Sequence, residues 1–573
     1  MRRILSVALV YFFFTLLFTY PSVHKLSDRV IGDGGDNYQF LAFQYLAKQQ
    51  FDQGQLPFGW TNYWRYPVGF NFANSFDSPI FLTIGIVFYQ LSSDPVVVYN
   101  LTVLTLLFFN ALLSYFFFYE ISRSQIAGFA GGLMYGFSFY SLARMGGHPN
   151  LILIGCFPFL LYALLIFLKR QGDSKAYILL TTAVALIYLS SLQHLLLLAG
   201  ALLVYLPLTA VFFRKELLAY FNLVWKTKKK LIWLIAANSA VFLFFYYAKI
   251  FSFFDKSLVL PGAEIVSPQW QNFFLPNSYF RLVIAPFLNN TPLWIENAVF
   301  LGFMELLLFI CFFTVKRGAH GLKPFLFLNA LFFLILALGD ARNPLLPMPY
   351  RFLFPFMPFR GIVESGRFYI FLYLTVVSGS VLYLAKVLPK ISFSVLVIIL
   401  LSVAFERLPV NFYLSSTLKN ESFYTAVADS PSSAVLDLPL FPEWWHGNMY
   451  DMYSIYYHKP IVNGYIHWSG LTADTKILTD KMHRFECNLD PEFIAVQLTR
   501  DDLLFEKEQN RILLQDLLGY NIRTVVYHKD LGIGPKECLE SVQRIDAFLH
   551  NSNIDFVLLY EDIDKAVYYL NEP

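Results

Sequence analysis

The chain has 573 residues, of which 57% are hydrophobic, 19% aromatic and 14% charged, and its formal net charge is +3. A soluble globular protein carries about 25% charged residues, so this composition excludes that class. The near-neutral charge gives no footing for nucleic acid, and the length holds many membrane spans plus a domain of ordinary size.

The first element is the apolar run Ile4–Tyr20, preceded by Met1-Arg2-Arg3. Thr19-Tyr20-Pro21-Ser22 offers no small-x-small cleavage site, so the run reads as a retained anchor. Next comes Gly32-Asp33-Gly34-Gly35-Asp36, two carboxylates on a glycine-rich turn beside the membrane boundary. The following stretch Tyr38–Phe51 places Tyr38, Leu41, Ala42, Tyr45 and Leu46 on one helical face, which predicts a helix lying on the membrane. Pro79–Leu91 is apolar but short, and reads as a re-entrant or interfacial piece. Further apolar runs follow at Pro95–Glu120, Ile126–Leu142, Leu151–Leu168, Ala176–Ser191 and Leu195–Phe213. Others are Leu231–Ile250, Asn297–Phe313, Pro324–Leu338, Phe368–Ala385 and Ile391–Phe405. With the first run they predict about eleven helices, each long enough or nearly so to cross ~30 Å of hydrocarbon.

Loop charge sets the expected direction. Arg123, Lys169-Arg170, Arg214-Lys215, Lys226 with Lys228-Lys229-Lys230, Lys316-Arg317 and Lys386 all fall on the side of Arg2-Arg3. By the positive-inside rule that side is cytoplasmic, and an odd number of spans puts the carboxyl terminus outside. Three outer segments are long: 21–78, 251–294 with Glu264, Trp270 and Glu296 near its ends, and 339–367. After Phe405 the composition changes. Ala434–Leu438 and Phe556–Tyr560 read as strands, and Asp502–Tyr520 as an amphipathic helix leading into the strand Arg523–His528. The expected organisation is a polytopic α-helical membrane domain over 1–405, with a large first outer loop, and an extracytoplasmic mixed α/β domain over 406–573.

Several residues are candidates for chemistry. Asp33 or Asp36 can act as general base on a hydroxyl, or the pair can hold a divalent cation such as Mg or Mn at a diphosphate. A plain polar turn with Asp36 as helix N-cap explains the same residues. His148, in Gly147-His148-Pro149-Asn150, can donate to a phosphate or to an acceptor, or bond a backbone carbonyl at the interface. His194 is a weaker case. Arg351, Arg360 and Arg367 lie on the outer side, where charge bias does not ask for arginine, and arginine forks bind phosphate bidentately. The alternative is pairing with Asp340 or Glu364, or with lipid headgroups. Glu305 falls within a span, where an ionisable group is functional or paired inside the bundle. Cys156 and Cys311 lie in apolar runs, whereas Cys487 and Cys538 can pair only in an oxidising space. No Walker loop, Rossmann glycine pattern, HExxH or CxxC occurs, which argues against ATP-driven transport, nucleotide-dependent redox work and zinc hydrolysis.

The arrangement resembles the GT-C superfamily of polytopic glycosyltransferases, in particular bacterial YfhO-like and mannosyltransferase-like membrane proteins. The resembling pieces are Gly32–Asp36, Tyr66-Pro67-Val68-Gly69, Gly147–Asn150 and Leu338-Gly339 through Arg367-Phe368. In the tail they are Val435–Pro439, His458–Tyr465 and Leu518–Arg523. The resemblance implies inverting transfer of a sugar from a polyprenyl-phosphate donor to an extracytoplasmic glycan, lipid or protein, in the plasma (inner) membrane. It assigns the catalytic base to Asp36 or Asp33. Substrate contacts then fall to His148, Arg351, Arg360, Arg367 and Glu296. That superfamily's metal-dependent members carry a further acidic motif in the second outer loop. Here His148 stands in that place. Two rival classes are a transporter or flippase of a lipid-linked saccharide and a non-catalytic scaffold of envelope assembly.

Overall fold

A computed structural model of the chain describes residues 2–254, 267–276, 298–315, 321–339, 349–356, 359–408, 414–416, 422–439, 447–462, 518–529, 549–550 and 556–571. The helices are α1 (Arg2–Phe18), α2 (Gly35–Asp52), α3 (Pro79–Phe88), α4 (Pro95–Ser122), α5 (Gln125–Gly136), α6 (Phe139–Arg144), α7 (Cys156–Lys169), α8 (Ser174–Ser190) and α9 (Leu192–Phe212). They continue as α10 (Arg214–Lys226), α11 (Lys228–Phe254), α12 (Phe303–Thr314), α13 (Leu322–Leu338), α14 (Tyr369–Val387), α15 (Phe393–Arg407), α16 (Ser422–Asp429) and α17 (Gly447–Tyr457). Each apolar run named above overlaps a helix. Among the described residues, six helical segments are long and apolar enough to cross a membrane by length and composition: Pro95–Ser122, Gln125–Arg144, Pro149–Lys169, Leu192–Phe212, Lys228–Tyr246 and Ser365–Lys390.

Helix starts follow local chemistry. Asp94 accepts from the Val96 N–H at 2.9 Å while Pro95 opens α4, an N-cap with proline at the first helical position. The centre of the bundle is α4, packed on α5, α7 and α14. Its buried Asn110 donates to the Gly136 carbonyl at 2.6 Å and to Ser141 Oγ at 2.9 Å, and accepts from the Gly155 N–H. One amide thus ties α4 to the break between α5 and α6 and to the start of α7. Close packing of small residues makes this possible, since a Cβ on Gly136 would lie 2.2 Å from Ala111 Cα.

The two ends of the bundle differ in charge. α4 has 28 residues, hence a length of about 42 Å. Near its far end, Glu120 pairs with Arg123 and Lys169, and Lys230 donates to the Gly172 carbonyl at 3.2 Å. Near its beginning, Asn100 accepts from the Ile31 N–H at 2.8 Å and donates to the Leu26 and Arg29 carbonyls. The acidic turn is therefore held at the end opposite to this basic cluster.

After α15 the chain builds a four-stranded sheet from β3 (Ala434–Leu438), β4 (Ile522–His528), β5 (Phe556–Glu561) and β6 (Lys565–Leu570), in the order β3-β4-β6-β5. β3 and β4 run parallel, and the other neighbours antiparallel. Three of these strands stand at segments read as strands, whereas Lys565–Leu570 is not among them. Of the amphipathic helix expected over 502–520, residues 502–517 lie outside the described residues. Two shorter strands, β1 (Arg29–Ile31) and β2 (Leu414–Ser416), pair antiparallel and tie the first loop to the chain after α15. Trp64 and Val435 both bridge to Ile461, and Trp64 Nε1 donates to Ser454 Oγ at 3.1 Å. The loop 21–78 and the tail are thus sewn together.

This corrects the expectation for α2. It does not lie on a membrane surface with its polar face in water. It is packed among α3, α4 and α17, and Gln44 and Gln50, on the face assumed to be wet, are buried. Gln44 donates to the Phe81 carbonyl at 3.1 Å and to Thr102 Oγ1 at 3.0 Å. Protein groups accept from these amides, and periodicity alone does not separate that from headgroups.

Candidate active site

The turn before α2 is shaped by its glycines. Gly32 has φ +137° and Gly34 φ +103°, and a Cβ on Gly32 would lie 2.1 Å from Asn37 Cγ. No side chain fits there without moving the buried Asn37. Asn37 donates to the Ile31 carbonyl at 3.2 Å, Tyr99 Oη at 2.7 Å and the Met145 carbonyl at 2.9 Å. The Asp33 N–H donates to the Gly146 carbonyl at 2.9 Å. The turn is thereby locked to the loop that carries His148.

Asp36 is not the N-cap of α2. Gly34 holds that position, and Asp36 lies in the first helical turn. Its carboxylate faces His148 instead, with Nδ1 2.9 Å from Oδ2 and each side chain 30% exposed. Asn448 of α17, buried, donates to Asp36 Oδ1 at 3.5 Å. Asp33 is exposed and accepts from the Gly35 N–H at 3.2 Å. Partial enclosure by protein pushes its carboxyl above the ordinary range. The Gly35 N–H opposes that, the Asp36 charge adds to it, and His148 opposes it. The structure thus brings together Asp33, Asp36 and His148, one open carboxylate beside one held carboxylate.

The arginines do not join this group. Arg367, 3% exposed, pairs with Glu364 at 3.0 Å and donates to Gln193 of α9. Arg351 is exposed on the short helix Pro349–Leu353. Arg360 lies on the turn Phe359–Gly361, and its side chain is outside the described residues. Glu296, Cys487 and Cys538 are outside them too. His194 is buried, with Nδ1 2.7 Å from Ser190 Oγ. Glu305 is fully buried against Arg407, with Tyr373 Oη 3.2 Å from its Oε1 and 2.6 Å from the guanidinium. Its pairing is internal to the bundle. A cavity between α12 and α15, lined by Phe303, Met304, Leu307, Leu401 and Phe405, includes none of the candidate residues.

Two polar residues near the site carried no motif. Asn448 stands in the tail, far from Asp36 in sequence. Asp77 is a lone acid in an aromatic loop, two residues before the proline that opens α3, and that isolation was its only signal.

No curated protein sequence matches the chain. Among solved structures, the arabinofuranosyltransferase AftD from Mycobacteria superposes with a TM-score of 0.54 at 12% identity, covering 100% of this chain and 42% of that one. The oligosaccharyltransferase of Archaeoglobus fulgidus gives 0.51 at 11% identity, covering 99% of this chain and 74% of that one. This chain therefore spans less than half the length of the mycobacterial enzyme. The likeness is one of fold, shared with these two membrane glycosyltransferases. By sequence the chain belongs to the family DUF6311, a domain of unknown function, which matches residues 7–405.

Proposed function

We propose that the chain is a membrane glycosyltransferase that moves a sugar from a polyprenyl-phosphate donor to an extracytoplasmic glycan, lipid or protein. The observation that carries this reading is the Asp36–His148 pair at 2.9 Å beside Asp33, at one end of a bundle with the GT-C fold. The solved relatives are named as an arabinofuranosyltransferase and an oligosaccharyltransferase, which supports a sugar as the transferred group. YfhO-like kinship is part of the same proposal.

In the proposed reaction the acceptor oxygen attacks the anomeric carbon, and the bond to the lipid phosphate breaks with inversion. The acceptor proton passes to Asp36. His148 and Asn448 hold that carboxylate in place, so its position is set before the acceptor arrives. The leaving phosphate gains charge and needs cations aimed at it. Arg351 is the first choice because it is exposed, with Arg360 nine residues further on. Arg367, committed to Glu364 and Gln193, takes a supporting place. A divalent cation does not fit the pair as arranged: no group of three His, Cys, Asp or Glu ligands gathers among the described residues. His148 already occupies one oxygen of Asp36, so no step is assigned to a metal.

The same proposal includes the direction. About eleven spans with the basic loops in the cytoplasm put the acidic turn and the sheet outside the inner membrane. The test is sugar transfer from a radiolabelled polyprenyl-phosphate donor in purified membranes, wild type against Asp36→Asn. Transfer by the wild type and its loss in the variant support the reading. Equal transfer in both removes Asp36 from catalysis, and translocation of lipid-linked saccharide without transfer would favour a flippase.

A further inference from the structure

We infer that Asp77 is a positioning residue, which holds Asn150 and thereby aims the His148 ring at Asp36. The inference rests on the pair reading above and extends it to the far side of the same loop.

Asp77 sits at a junction of four segments. Its carboxylate accepts from Asn150 Nδ2 at 3.0 and 3.1 Å and from Ser191 Oγ at 2.8 Å. Its carbonyl accepts from the Leu192 N–H at 3.2 Å and from Tyr246 Oη at 2.9 Å. Ser191 is the N-cap of α9, so the charge of Asp77 lies at the positive end of a 21-residue helix. Both carboxylate oxygens accept from the Asn150 amide and fix it.

The loop between α6 and α7 is consequently clamped on both sides of His148. Before it, the Met145 carbonyl is held by Asn37 and the Gly146 carbonyl by the Asp33 N–H. After it, Asn150 is held by Asp77, and Pro149 stiffens the link between them. All three clamps come from the same first loop, 21–78. Its turn supplies Asp36, and its last residues supply the anchor for the partner of Asp36. Without the Asn150 tether, the bonds from the first loop would all precede His148. The ionisable groups of the first loop that face the ring are Asp36 and Asp33. Arg144, on α6, is turned onto the Tyr140 ring at 4.4 Å.

The test reads His148 itself and needs no knowledge of the sugar. The full chain is purified in detergent and treated with diethyl pyrocarbonate, which modifies the unprotonated imidazole. Mass spectrometry follows His148 modification as a function of pH, and the midpoint reports how closely the ring faces a carboxylate. Asp36→Asn should lower the midpoint by roughly one pH unit. Asn150→Ala changes no charge, so most of the same drop in that variant would show that the tether sets the geometry. Asp77→Ala should drop at least as far, because it loses the tether and a nearby negative charge. A wild-type midpoint in Asn150→Ala, alongside a lowered one in Asp36→Asn, would overturn the positioning role while keeping the pair. A wild-type midpoint in Asp36→Asn would overturn the pair and the inference together. If Asp77→Ala does not fold, Asn150→Ala decides alone.

Discussion

Two acid–base pairs in this molecule are built to opposite ends. Glu305 and Arg407 are fully buried between α12, α14 and α15, and further bonds run to Tyr373 and to the Met134 and Val403 carbonyls. Asp36 and His148 stand 30% exposed at the end of the bundle, and Asp33 beside them is open. The side chains of the buried pair have no exposure. The other pair keeps part of each side chain open to solvent. Mean hydropathy and helical position single out Glu305 as the unusual acid. Accessibility and spare hydrogen-bonding capacity single out Asp33 and Asp36.

The sharpest way to break this contrast is Asp36→Asn. If the pair is chemical, transfer falls by about 10²- to 10⁴-fold, the range for a positioned general base. The thermal midpoint of the purified protein should move little, because the pair is half-exposed. Arg407→Ala is the mirror experiment. Leaving Glu305 buried without its partner should cost about 3–5 kcal/mol of stability, read from denaturation in detergent, with lost folded yield. A variant that stays as stable as wild type but loses transfer would place the buried pair in the chemistry instead.

Asn448→Ala gives a smaller effect. Removing one donor to Asp36 should reduce transfer by roughly two- to tenfold, the equivalent of 0.5–1.5 kcal/mol for a hydrogen bond. An unchanged rate would mean that the tail contributes no group to the site. The smallest effect belongs to Asp33→Asn. The folded-state pKa of Asp33 is raised, so its ionised form destabilises the fold. That penalty is absent below the ordinary carboxylate pKa of about 4 and complete once pH passes the raised folded value. Thermal unfolding of wild type and Asp33→Asn should therefore coincide near pH 4 and separate toward neutral pH, with the variant the more stable. A variant that is less stable at neutral pH would show that the carboxylate is structural.

The eleven apolar runs and the strand segments 434–438, 523–528 and 556–560 were readable in order along the chain, because hydrophobic length and alternation are local properties. So was the acidic turn, since glycine and carboxylate spacing needs no partner to be noticed. The amino-acid order also placed His148 in a loop on the side of Asp36. It did not pair them, because the pairing depends on how α4 through α7 fold back on the first loop. The roles of four residues were decided by tertiary structure. Arg367 points to Glu364 and Gln193, since burial at the start of α14 forces a guanidinium to find protein acceptors. Glu305 meets Arg407 because α12 and α15 pack together, a contact no spacing announces. Asn448 and Asp77 reach the site from opposite ends of the chain, and only three-dimensional packing brings such distant residues within hydrogen-bond range.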